Sequence, residues 1–83
     1  METLAEASVN ATEPNPGYGR RIRAARLAVN KTRRELAETV EVTYATVCRW
    51  ENEQRFPDDH HLVRVAKACR ASAAYLMFGD LLP

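Results

Sequence analysis

Eighty-three residues allow one small domain with a thin core, because a chain of this size buries only about 60% of its unfolded surface. With 46% hydrophobic and 28% charged residues, three glycines and four prolines, the composition excludes a collagenous, fibrous or wholly disordered chain and points to a helical globule. The formal charge of +1, taken whole, argues against a strongly electrostatic partner such as nucleic acid, but the distribution of charge overturns that average.

Residues 1–17 contain Glu2, Glu6 and Glu13, no Lys or Arg, and close with Asn15-Pro16-Gly17, a turn or linker signal. They read as an acidic, flexible N-terminal tail of net −3, which hangs free, binds a partner or shields the basic helices. Residues 18–83 read as the domain proper and hold all twelve basic residues beside eight acids, a net of +4. Seven of the twelve (Arg20, Arg21, Arg23, Arg26, Lys31, Arg33 and Arg34) lie between positions 20 and 34.

Caps and periodicity predict five helices and no half-buried strand. In the first, about Tyr18 to Val29, Ile22, Ala25, Arg26 and Val29 share one face, so an arginine lies inside the apolar stripe. Thr32-Arg33-Arg34-Glu35 is a capping box for a second helix of about eight residues that buries Leu36, Ala37 and Val40. Thr43 is placed to cap a third, Tyr44 to about Glu53, with Val47, Trp50 and Glu51 inward and Tyr44, Ala45, Cys48, Arg49 and Asn52 outward. A glutamate therefore points inward as well. Asp58 or Asp59 caps a fourth helix with Leu62, Val65, Ala66 and Cys69 on its apolar side. Ser72 caps a short fifth through Phe78, with Tyr75, Leu76 and Phe78 inward, which Gly79 ends in a left-handed turn. Asp80-Leu81-Leu82-Pro83 is an apolar tail.

Two short helices joined through Glu41-Val42, the second with small and polar residues outward, have the form of a helix-turn-helix. Ile22-x-x-x-Arg26, Thr32-Arg33-Arg34-Glu35-Leu36-Ala37, Val42 through Asn52, Pro57 and Tyr75-Leu76-Met77-Phe78-Gly79 together resemble the lambda-repressor-like (Cro/repressor, XRE-type) helix-turn-helix family, over roughly residues 18–79. The resemblance implies an all-α, compact five-helix DNA-binding domain. It implies a sequence-specific transcriptional regulator, of the phage or prokaryotic repressor kind, that binds a palindromic operator in double-stranded DNA as a homodimer with its third helix in the major groove.

The same resemblance pairs Arg26 with Glu51 in a structural ion pair. It assigns base contacts to Tyr44, Ala45, Thr46 and Arg49, of which Arg49 could bridge O6 and N7 of a guanine. Phosphate contacts fall to Arg33 and Arg34 at the start of the second helix, to Asn52 and to Arg55. Self-association is expected through Leu76, Phe78, Leu81 and Leu82, since so small a core cannot cover them all. The chain departs from the family at Arg33, where glutamine is usual, and at Glu41 and Glu53, where glycine is usual. A non-glycine residue in a left-handed turn costs about 1–2 kcal/mol.

The remaining features read as structural. His60, His61, Cys48 and Cys69 lack zinc-ligand spacing, Trp50 and Tyr75 read as packing, and no metal or cofactor is expected. No phosphate-cradling glycine loop or catalytic motif is present, so an enzyme is not expected. The absence of a basic leader and of a bilayer-length apolar stretch leads us to expect a cytoplasmic protein with reduced thiols and no membrane contact. The competing reading is an antitoxin, or another module built to hold a regulatory protein partner.

Overall fold

The computed structural model describes residues 14–79, which contain five helices and no strand. They are α1 (Tyr18–Ala28), α2 (Arg33–Val40), α3 (Tyr44–Glu51), α4 (Asp59–Cys69) and α5 (Ala73–Phe78). Four begin as the sequence dictates. Thr32, Thr43, Asp58 and Ser72 each accept the amide three residues on, and Thr32 and Glu35 complete a reciprocal capping box. Each such cap satisfies an amide that the helix itself leaves without a partner.

The first helix is the exception, because Gly17 has no side chain with which to cap it. Its second amide, that of Gly19, is taken by Glu53 from the loop after α3 at 3.0 Å. A cap supplied from 34 residues away cannot be read from local spacing.

Helix ends are equally regular. In α1 to α4 a non-glycine residue takes up the left-handed conformation, namely Asn30, Glu41, Glu53 and Arg70. The amide of the next residue then reaches back five positions, as in Val42 to Ala37 and Gln54 to Arg49. These are Schellman-type ends, where glycine is usual. The turn at Glu53 also shortens α3, which stops at Glu51 with Asn52 as its C-cap, two residues earlier than its periodicity suggests.

Glu41 sits at φ 63°, ψ 48°, so the turn between α2 and α3 carries the backbone cost expected there. Its carboxylate meets Arg64 at 3.1 Å, with both side chains largely exposed, and an exposed pair offsets at most about 1 kcal/mol. Glu41→Gly should therefore raise the melting temperature by a few degrees, at roughly 4–8 °C per kcal/mol for a domain of this size. A thermal melt that fell would show the Arg64 contact to outweigh the strain.

The helices pack around one core. Ile22, Leu36, Val40, Val47, Trp50, Val65 and Leu76 are its fully buried centre. The expectation of Leu76 at a self-association surface is corrected by the structure: α5 packs on α1 and α4 and seals Leu76 inside the domain. Tyr75, expected inward, is instead 39% exposed, because α5 is too short to bury two faces. Phe78 is half-buried, and Leu81 and Leu82 lie outside the described residues.

The basic run on α1 divides between inside and out. Arg21 does not face outward with its neighbours. Its guanidinium donates to the carbonyls of Leu76 and Met77 at the end of α5 and of Asn15 and Pro16, at 2.9–3.1 Å. A cation among the free carbonyls of a helix C-terminus is favourably placed. Asn15 adds bonds to Met77 and Phe78, so Asn15-Pro16-Gly17 is stitched to α5 rather than serving as a linker. Residues 1–13 lie outside the described residues.

Candidate nucleic-acid interface

α2 and α3 are joined by Glu41, Val42 and Thr43 and held at a fixed angle by Leu36, Val40, Val47 and Trp50. What stabilises the crossing further is a buried cluster of charge. Glu51, 9% exposed, receives Arg26 through two bonds of 2.7 and 3.1 Å, and Arg33 through a third of 3.0 Å. Arg26, 6% exposed, spends its remaining reach on the carbonyl of Lys31. The bidentate Arg26–Glu51 geometry is the strongest form of such a pair. It ties α1 to α3 while Arg33 adds α2.

Arg33 is therefore no free surface cation, as its place in the sequence suggests. Its Nε is committed to Glu51 and its side chain is 35% exposed, which leaves only the two terminal nitrogens for an external anion. The hydrogen bond to Glu51 raises its guanidinium above its ordinary value. Arg34 is exposed and lies over the Tyr44 ring, 5.0 Å from its centroid, a cation–π contact that orients both side chains.

On α3 itself, Tyr44, Ala45 and Arg49 are exposed together with Asn52 just beyond the helix. Ala45, Arg49 and Asn52 follow the i, i+4, i+7 spacing of one helical face. Thr46 is half-buried, and its hydroxyl is paired with that of Thr43 at 2.8 Å, so it is already engaged within the chain. Arg55 is exposed in the following loop, whose course is set by Phe56 packed edge-on to Tyr18 at 4.8 Å and by the buried Pro57.

A model of the helix-turn-helix family (HTH_3) matches residues 22–76, which span both of these helices and their neighbours. This chain belongs to the helix-turn-helix family. Among its relatives, the HTH-type transcriptional regulator DicA of Escherichia coli (strain K12) is 31% identical over 66 residues, 80% of this chain and 49% of DicA. The chain thus spans about half the length of that curated relative. The P22 c2 repressor, solved in complex with a synthetic operator, superposes with a TM-score of 0.73 at 32% identity, over 76% of this chain and 96% of the other. The solution structure of the DNA-binding domain of the same repressor gives 0.71 at 32% identity, over 78% and 86%. The N-terminal DNA binding domain of SinR from Bacillus subtilis shares the fold at 24% identity, with a TM-score of 0.67 over 72% and 88%.

Within this helix-turn-helix domain, the exposed face of α3 and the start of α2 hold Tyr44, Ala45, Arg49, Arg33 and Arg34, whereas Thr46 is half-buried on α3 and Asn52 and Arg55 lie just after it. Sequence reasoning did not find the third bond on Glu51, the Arg34–Tyr44 stacking or the Glu53 cap. Nor did it separate Arg20 and Arg23, which are exposed, from Arg21, which is consumed by α5. The helical period gives no signal for that last distinction, since Arg21 and Arg23 lie equally far around the helix from Ile22. Among the described residues no three His, Cys, Asp or Glu side chains converge on a point that could hold a metal. Burial pushes the Cys69 thiol up, which makes it a packed side chain rather than a nucleophile. No described helix is long and apolar enough to cross a membrane.

Proposed function

We propose that the domain binds double-stranded DNA sequence-specifically as a transcriptional regulator, with α3 in the major groove. The observation that carries this reading is the exposed strip of Tyr44, Ala45 and Arg49 flanked by cationic side chains from α2 and the loop at Arg55. A groove-filling helix needs small or hydrogen-bonding side chains outward and cations on either side for the two phosphate backbones. Arg49 reads a guanine edge, Ala45 offers a methyl to a thymine methyl, and Tyr44 and Thr46 contact a base edge or a phosphate. Arg34, Asn52, Arg55 and the two uncommitted nitrogens of Arg33 hold phosphates. The P22 c2 repressor, solved on an operator, supports this assignment through its similar fold.

We assign the functional unit as a symmetric dimer, with the outer side of α5, at Tyr75 and Phe78, and the adjoining Leu81 and Leu82 as the contact. Selection of duplexes from a random pool at two salt concentrations tests the whole reading. The expected product is a palindrome with half-sites about one helical turn apart, bound more weakly at the higher salt. Failure to enrich any sequence would overturn it.

Arg49→Ala should cost about 1–3 kcal/mol at a single operator position and relax the base preference there. Binding to a panel of single-base operator variants checks this. An equal loss across all variants would reassign Arg49 to a phosphate.

A further inference from the structure

Beside the α3 face lies a second concavity, of which the contacts above use only Arg33 and Asn52. Its walls are Arg20 and Arg23 of α1, Arg33 of α2, and Glu51, Asn52 and Glu53 at the end of α3. It is about 440 Å³ in volume, room for a phosphodiester group with its waters. The groove that runs past Tyr44 and Arg34 shares Arg23 and Arg33 with it, so one basic trough continues from the start of α3 to the start of α1.

The charges within this basin are unequal in what they can still do. Glu51 is already held by Arg26 and Arg33, so its charge is met from inside. Arg20 and Arg23 are exposed, and among the described residues neither lies within salt-bridge distance of an acid. Two unpaired guanidiniums three residues apart on one helix repel each other, and a shared anion relieves that repulsion. Glu53 is the opposing element. It is held at φ 60°, a conformation glycine adopts without strain. Its side chain folds over the start of α1 and accepts the Gly19 amide, occupying one of the donors that a phosphate could otherwise take at a helix N-terminus.

We propose that Arg20 and Arg23 hold a further backbone phosphate of the bound duplex, and that Glu53 limits how strongly this basin takes it. The assignment rests on the DNA-binding reading and adds to it an electrostatic brake built into the interface. The brake lowers attraction for any duplex, operator or not, because a phosphate contact carries no base information. Discrimination is then left to α3.

The test is the salt dependence of binding of the full chain to its selected operator and to an unrelated duplex. The Arg20→Ala/Arg23→Ala double variant should bind both DNAs more weakly and lose about 0.9 from the slope of log K against log salt, the loss of one phosphate contact. Should the Ala pair melt early, a Gln pair that keeps the aliphatic stems on α1 reads the same slope. Glu53→Gln keeps an oxygen for the Gly19 amide while removing the charge. It should tighten binding about threefold at low salt, and the gain should vanish when Arg20 and Arg23 are also replaced. A double-variant slope equal to wild type would overturn the basin, and a Glu53→Gln gain that persists without the two arginines would overturn the brake. A wild-type chain whose DNA binding ignores salt would instead sink the DNA-binding reading itself.

Discussion

Arg26→Ala should lower the melting temperature by roughly 12 °C or more, the consequence of losing about 3–5 kcal/mol at 4–8 °C per kcal/mol. Arg26 is 6% exposed and makes two bonds to Glu51 and one to the Lys31 carbonyl. Truncation leaves Glu51 buried with only Arg33 beside it, and the Lys31 carbonyl without its donor. Breaking one partner of a buried pair is far more costly than the pair is worth intact, since the remaining charge stays desolvated. Small domains have about 5–15 kcal/mol of stability in all, so the loss is a large share. Arg33→Ala, by contrast, removes a partner that is 35% exposed and should cost about 1 kcal/mol. Thermal melts of the two variants side by side check the order. Equal losses would mean that the two arginines serve Glu51 alike.

Gly19→Ala is expected to destabilise the fold by about 2 kcal/mol, against the helix propensity that favours alanine by up to about 1 kcal/mol. A β-carbon at Gly19 would collide with the backbone carbonyl oxygen of Glu51 and come within 2.8 Å of that carbonyl's carbon and of Cγ of Glu53. A side chain could swing aside, but a backbone carbonyl at the end of α3 cannot. Relief requires α1 to move off α3, which loosens the Arg26–Glu51 bonds and withdraws the Glu53 cap from Gly19 together. Glu53→Gly clears the Cγ contact, but it also gives up the Gly19 cap and relieves the left-handed backbone at 53, so the double variant is compared with Glu53→Gly alone and should not reach its melting temperature. Equal melting temperatures would show that the side chain, not the carbonyl, sets the distance between the helices.

Both predictions concern the seam between α1 and α3, and the sequence discloses its two sides unequally. Arg26 and Glu51 stand out because each interrupts an apolar stripe, and a charge on a buried face needs an opposite one. Gly19 carries no such mark. It stands in the first turn of a helix with nothing in its neighbours to show that another backbone passes within contact distance.

The candidate interface divides in the same way. Tyr44, Ala45, Arg49 and Asn52 are legible as an outward face because the inward positions Val47, Trp50 and Glu51 define the opposite one by period alone. The arginines are not so readily sorted. Arg20, Arg21, Arg23, Arg33 and Arg34 form one basic cluster on paper, but in the fold Arg21 turns to the end of α5, Arg33 commits a nitrogen to Glu51 and Arg34 lies over Tyr44. Long side chains reach 6 Å or so beyond their stems, roughly the spacing between neighbouring surface positions on a helix, so their partners depend on which elements lie alongside.

Spacing along the chain thus carries what acts over three to five residues: the caps at Thr32, Thr43, Asp58 and Ser72, the apolar stripes and the helix-turn-helix. Backbone hydrogen bonding and side-chain periodicity operate over that range and leave their signature in spacing. It took the packing of the whole domain to withdraw Leu76 from the self-association surface, to leave Tyr75 exposed, to bring Glu53 as a cap to a helix 34 residues away and to keep Arg20 and Arg23 unpaired at the surface of the +4 domain. Those outcomes follow from the packing of helices distant in sequence, and spacing along the chain carries no measure of that distance.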